Sequence, residues 1–161
     1  MANDCKNTLT ITGPRKDVEA FQKHAVGIDD RDGQEGVNPF CFSKLAPIPE
    51  HITADSQDWS IGSNPRKKYW GCDSFADNTW VTLSFDDSGA GMLVYDFFTK
   101  WTPPICLAEK VSACHPNLTF TLVYSEPGNA FAGLCILRGG RKATELHGQY
   151  DPQSPDEGIA Q

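Results

Sequence analysis

The chain has 161 residues and carries 21 Asp and Glu against 14 Lys and Arg, a net charge of −7. One domain accounts for such a length, since domains cluster near ~100–150 residues. Hydrophobic residues at 39% and aromatics at 11% argue against wholesale disorder, and no apolar run approaches the ~20 residues of a membrane helix. The acidic balance speaks against a protein whose main task is holding a phosphate backbone.

Thr8 to Thr12 alternates at strand period, with Leu9 and Ile11 on one face. Gly13-Pro14 breaks it, and Val18, Phe21 and Ala25 follow at helical spacing, which predicts a helix over 14–26. A polar loop comes next. Phe40-Cys41-Phe42 reads as a short strand-like piece, and Leu45-Ala46-Pro47-Ile48-Pro49 as an extended segment. Residues near 50–72 read as a long polar loop with at most one helical turn.

Residues 79–85 and 92–100 alternate across the turn signal Asp86-Asp87-Ser88-Gly89, a hairpin. Thr102-Pro103-Pro104 opens a second helix, with Ile105, Leu107, Ala108, Val111 and Cys114 as its apolar stripe. Residues 118–124 and 131–138 pair around Pro127-Gly128-Asn129. Residues 145–161 lose periodicity and read as a flexible acidic tail after one domain over 1–144. This order describes an α+β sandwich, with two helices on one face of a mostly antiparallel sheet.

The six cysteines, Cys5, Cys41, Cys72, Cys106, Cys114 and Cys135, include no Cys-x-x-Cys pair. With a polar, leaderless start they read as buried free thiols in a cytoplasmic protein, with no metal and no cofactor. His24, His51, His115 and His147 are isolated from any catalytic motif. Cys5 has no base placed beside it, and Asp73, Asp86 and Asp96 are scattered along the chain. No nucleophile–base or paired-carboxylate pattern emerges, so the expectation is a non-enzyme. Tyr95, Phe97, Phe120 and Tyr124 could supply a base-stacking platform, but with no RNP1-like string and an acidic charge their expected duty is the core.

The string Asn3-Asp4-Cys5-Lys6-Asn7-Thr8-Leu9-Thr10-Ile11-Thr12-Gly13 resembles the opening of Api92-like, or YubB ferredoxin-like, proteins of phages and conjugative plasmids. So do Phe40-Cys41-Phe42-Ser43-Lys44-Leu45, Pro47-Ile48-Pro49, Trp70-Gly71, Thr99-Lys100-Trp101-Thr102-Pro103-Pro104, Pro116-Asn117-Leu118-Thr119-Phe120, Glu126-Pro127-Gly128 and Phe131-Ala132-Gly133, in the same order. The chain departs from that pattern at Asp4, where an aromatic is usual, and after Gly71. The resemblance implies a ferredoxin-like α+β fold and a mobile-element origin. It supplies no catalytic residue.

Candidate contact residues are the basic-aromatic run Arg66, Lys67, Lys68, Tyr69 and Trp70, with Asp73, Trp101 at a strand-to-helix junction, and Glu126 and Phe131 around a turn. Aromatic and arginine side chains dominate binding hot spots. The expected function is a mobile-element accessory protein that binds a host protein, such as a nucleic-acid-binding defence complex of the CRISPR–Cas kind, in the host cytoplasm. The alternative is a nucleic-acid-binding accessory protein in replication or transfer of the element.

Overall fold

The computed structural model describes residues 2–29, 36–54 and 64–150. Strand β1 (Asp4–Pro14) leads into helix α1 (Arg15–Ala25). A small ribbon of β2 (Gly27–Ile28) and β3 (Val37–Asn38) follows, then the short helices α2 (Phe42–Leu45), α3 (Glu50–Ala54) and α4 (Pro65–Trp70). The hairpin β4 (Asp77–Phe85) and β5 (Ala90–Lys100), helix α5 (Ile105–Cys114), and strands β6 (Thr119–Glu126), β7 (Phe131–Arg138) and β8 (Arg141–Gln149) complete the chain.

The six long strands form one sheet in the order β4-β5-β1-β6-β7-β8, antiparallel at every step. β5 lies between β1 and β4, and β1 lies between β5 and β6. Each long helix therefore connects two strands that flank a third, which is the ferredoxin-like arrangement. β7 and β8 extend the sheet beyond it.

Strand alternation decides which face is covered. Cys5, Asn7, Leu9 and Ile11 of β1, Leu93, Tyr95, Phe97 and Thr99 of β5, and Phe120, Leu122 and Tyr124 of β6 are all buried. Onto this face α1 lays Val18, Phe21 and Ala25, and α5 lays Leu107, Ala108 and Val111. Gly13 lets the end of β1 approach the chain after α5: a Cβ there would sit 2.6 Å from Leu118 and 2.9 Å from the Asn117 carbonyl.

The segment between α1 and β4 contributes the aromatic half of the core. Phe40 stacks on Tyr95 with ring centroids 4.6 Å apart, and Phe42 meets Trp70 and Phe97 edge-on. Such pairs add about 0.5–1.5 kcal/mol each beyond their burial. A buried polar knot fixes the segment: Asn38 donates to Asp29 at 2.6 Å and to the Ala76 carbonyl at 2.9 Å, and its Oδ1 accepts from the Phe40 amide.

Three expectations change here. Phe40-Cys41-Phe42 is not a strand; Cys41 caps α2, and the Phe-x-Phe spacing serves the core instead. The stretch near 50–72 contains α3 and α4. α4 has Asn64 Oδ1 accepting from the Lys67 amide, Pro65 in its first turn, and Gly71 at φ +89 closing it. The tail does not begin at 145, because Gly139 and Gly140, both at positive φ, turn β7 into β8, which runs to Gln149. Residues 151–161 lie outside the described residues. Among the described residues, no helix is long and apolar enough to cross a membrane.

Candidate functional site

The candidate contact residues gather at one rim of the sheet, where β1 begins and β5 ends. Trp101 stands at its centre, half-buried, with φ +67. Its amide donates to the Asn3 carbonyl at 2.9 Å, and the next amide, Thr102, reaches back to the Lys100 carbonyl at 2.8 Å. An i to i+2 bond at positive φ is the strained form of the γ-turn, and a bulky residue in this region is a conformational outlier.

The surroundings hold that outlier in place. Thr99 Oγ1 accepts from Asn7 Nδ2 at 2.9 Å and donates to the Thr102 carbonyl at 2.8 Å. Thr102 Oγ1 donates to the Gly71 carbonyl and accepts from Lys67 Nζ at 2.6 Å. The Lys100 amide donates to Ser74 Oγ. Backbone strain of this kind costs about 1–3 kcal/mol and persists only where the surroundings over-determine it.

α4 packs beside this turn. The Arg66 guanidinium lies 4.5 Å from the Phe75 ring centroid, and Lys110 of α5 lies 4.3 Å from that of Tyr69. Asp73 accepts from Asn64 Nδ2 at 3.0 Å. Lys68 is exposed. The rim thus brings together Arg66, Lys67, Tyr69, Asp73 and Trp101. Trp70 is 2% exposed and donates its indole N–H to the Ala46 carbonyl, so it serves the core and is out of a partner's reach.

Glu126 is likewise 1% exposed. Its carboxylate accepts from the Gly128 and Asn129 amides, both at 2.7 Å, and so builds the turn into β7. It is a structural residue, not a contact residue. Asn3 connects this turn to Trp101, since a Cβ on Gly128 would sit 2.3 Å from Asn3 Nδ2. Phe131, half-buried, packs against Tyr124 and His147.

The residues weighed for chemistry do not converge. Cys5 is fully buried, and burial pushes its thiol up to about 12, far from a reactive thiolate. Asp86 caps the β4–β5 turn through Ser88 and Ala90, which hold its carboxyl below the usual range. Asp96 accepts from Thr8 Oγ1 at 2.6 Å on the opposite face. All six cysteines are free. Cys114, expected in the core, is exposed at the end of α5, and Cys106 is half-buried. Among the described residues, no three His, Cys, Asp or Glu side chains are placed to hold a metal.

The four sheet aromatics lie in the core, as expected, and offer no nucleic-acid platform. Tyr95, Phe97, Phe120 and Tyr124 are between 0% and 3% exposed, beneath the helices, where no base can stack. Trp80, 77% exposed, does face outward, and Phe98 shares that face half-buried. The position of Trp80 was readable from parity, because Val81, Leu83 and Phe85 take the inward places on β4.

Comparison with known proteins bears on the fold and the family. The family described as "Ferredoxin-like domain in Api92-like protein" matches residues 78–158, half of the chain. The crystal structure of protein api92 from Yersinia pseudotuberculosis superposes with a TM-score of 0.57 over 94% of this chain and 99% of that one, at 14% identity. At that identity the likeness concerns the fold. No curated protein matches. With its two split β-α-β units and matching sequence, the chain belongs to the Api92-like family by way of a ferredoxin-like domain.

Proposed function

We propose that this chain is a non-enzymatic accessory protein of a phage or plasmid that acts by binding a host protein at the Trp101 rim. The supporting observation is Trp101 itself. A tryptophan held at φ +67 by bonds from four neighbouring segments, yet left half-exposed, costs stability without filling the core. Tryptophan is also the side chain most concentrated in binding hot spots.

The net charge of −7 steers the chain toward a partner that is basic overall, while Arg66, Lys67 and Lys68 at the rim suit an acidic contact within it, because opposite potentials guide encounter and exclude wrong partners. Nucleic-acid-binding complexes of host defence present basic surfaces. An anti-defence role in the host cytoplasm, such as inhibition of a CRISPR–Cas complex, is the concrete form of the proposal.

The test is affinity capture from host lysate with the wild-type chain and with Trp101→Ala. The proposal expects a basic protein recovered by the first and lost by the second, with both chains folded by circular dichroism. Equal recovery by both, or a steeply salt-dependent gel shift on nucleic acid without any protein partner, would replace it with another reading.

A further inference from the structure

The rim reverses the charge of the molecule as a whole. α4 places Arg66, Lys67 and Lys68 in succession, with no acid among its six residues. α5 turns Lys110 back onto α4. The carboxylates close by are already engaged. Asp4 pairs with Lys100, Asp73 accepts from Asn64, and Glu126 is buried on its own turn amides.

Lys67, Lys68 and Lys110 have no carboxylate beside them among the described residues. Lys67 Nζ donates to the Thr102 hydroxyl at 2.6 Å, on the residue after Trp101. Lys110 Nζ donates to the Tyr69 carbonyl at 2.9 Å, on the residue after Lys68, and lies over the Tyr69 ring. Both acceptors are neutral, so both ammonium charges persist. Lys68 is exposed. The end of a helix offers cations about half an elementary charge of opposite sign. Most of the positive charge of these three lysines is therefore left over.

A complementary anion must be short. Acids exceed bases by seven over the whole chain, so a continuous phosphate backbone meets repulsion beyond the rim. One or two carboxylates on a partner that is basic elsewhere meet attraction both at the rim and at long range. Trp101, half-buried beside the Lys67–Thr102 bond, offers apolar surface to the residue next to those carboxylates. Resting on the reading of the rim as a host-protein contact, we propose that the segment received there is acidic. It sets an apolar residue on Trp101 and Asp or Glu side chains against Lys67, Lys68 and Lys110.

Association kinetics with the captured host protein test it, with Lys68→Glu and Lys16→Glu. Both positions are exposed, and both variants shift the net charge equally. Lys16 lies in the first turn of α1, at the end of β1 away from the rim. Lys16→Glu is expected to keep or raise the on-rate toward a basic partner. Lys68→Glu is expected to lower it about fivefold or more at low salt, a deficit that shrinks near ~1 M salt, where screening acts within ~3 Å. Both variants should melt as the wild type does. An on-rate for Lys68→Glu at or above wild type, with capture still lost in Trp101→Ala, overturns the acidic segment and leaves the rim reading standing. An equal fall in Lys16→Glu assigns the effect to net charge and overturns it too. Capture that survives Trp101→Ala overturns the rim reading, and this inference with it. A single-stranded oligonucleotide that displaces the host protein from wild type but not from Lys68→Glu assigns the lysines to phosphate and overturns the proposal.

Discussion

Single side chains in this protein carry opposing demands of burial and charge, and His115 shows the consequence for pH. Burial lowers its pKa first, and His24, with ring centroids 6.2 Å away, lowers it further, against a smaller raising effect of Asp17. Phe21 packs on it edge-on at 5.0 Å. The unfolded imidazole titrates near ~6.5. Between that value and the lower folded one, the unfolded chain binds more protons, so stability is present above ~6.5 and is lost as pH falls below it. The thermal midpoint should therefore drop between about pH 7.5 and 5.5, and His115→Gln should flatten that slope. Glu126 makes a different prediction. Removing its carboxylate strands two turn amides, so Glu126→Ala should lose about 2–4 kcal/mol in urea unfolding. A loss under about 0.5 kcal/mol would show that the turn does not need it.

At the scale of elements, what could be read from the residues follows from which faces are buried. β1, β5 and β6 alternate because one side packs under helices and the other does not, so their periodicity was plain. β8 is exposed along its whole length, and nothing selects an alternating pattern there, which is why it passed for a tail. α4 is six residues long and too short for a helical stripe; its cap, Asn64-Pro65 with Gly71 closing, was the one available signal. Phe40 and Phe42 share strand spacing by coincidence of packing, one stacking on Tyr95 and the other starting α2. The rim was only partly legible. Trp101 stood out by its place before two prolines, but its positive φ depends on Asn3, nearly a hundred residues away, and burial of Trp70 and Glu126 is likewise a tertiary fact. Pairing also sets a local limit at Gly133, where a Cβ would sit 2.3 Å from Tyr124 Oη and 2.7 Å from the Leu146 carbonyl. Gly133→Ala should destabilise by about 1–3 kcal/mol through overpacking, seen as a lower urea midpoint.

For the whole molecule, the two sides of the sheet are covered differently. One is sealed by α1, α5 and the aromatic segment; the other carries no helix among the described residues and exposes Trp80. The Trp101 rim lies at the strand ends, away from Trp80 on the outer face, so Trp80→Lys should not affect host-protein capture. The decisive point is whether Trp101 is kept for binding and not for folding. Trp101→Gly decides this, since glycine adopts positive φ without strain. Titrating the captured host partner with wild type and Trp101→Gly, alongside thermal melts of both, should show binding weakened at least tenfold and a midpoint within about 4 °C of wild type, equivalent to about 1–2 kcal/mol. Full-strength binding by the glycine variant, or a collapse of its melting midpoint, would contradict the account.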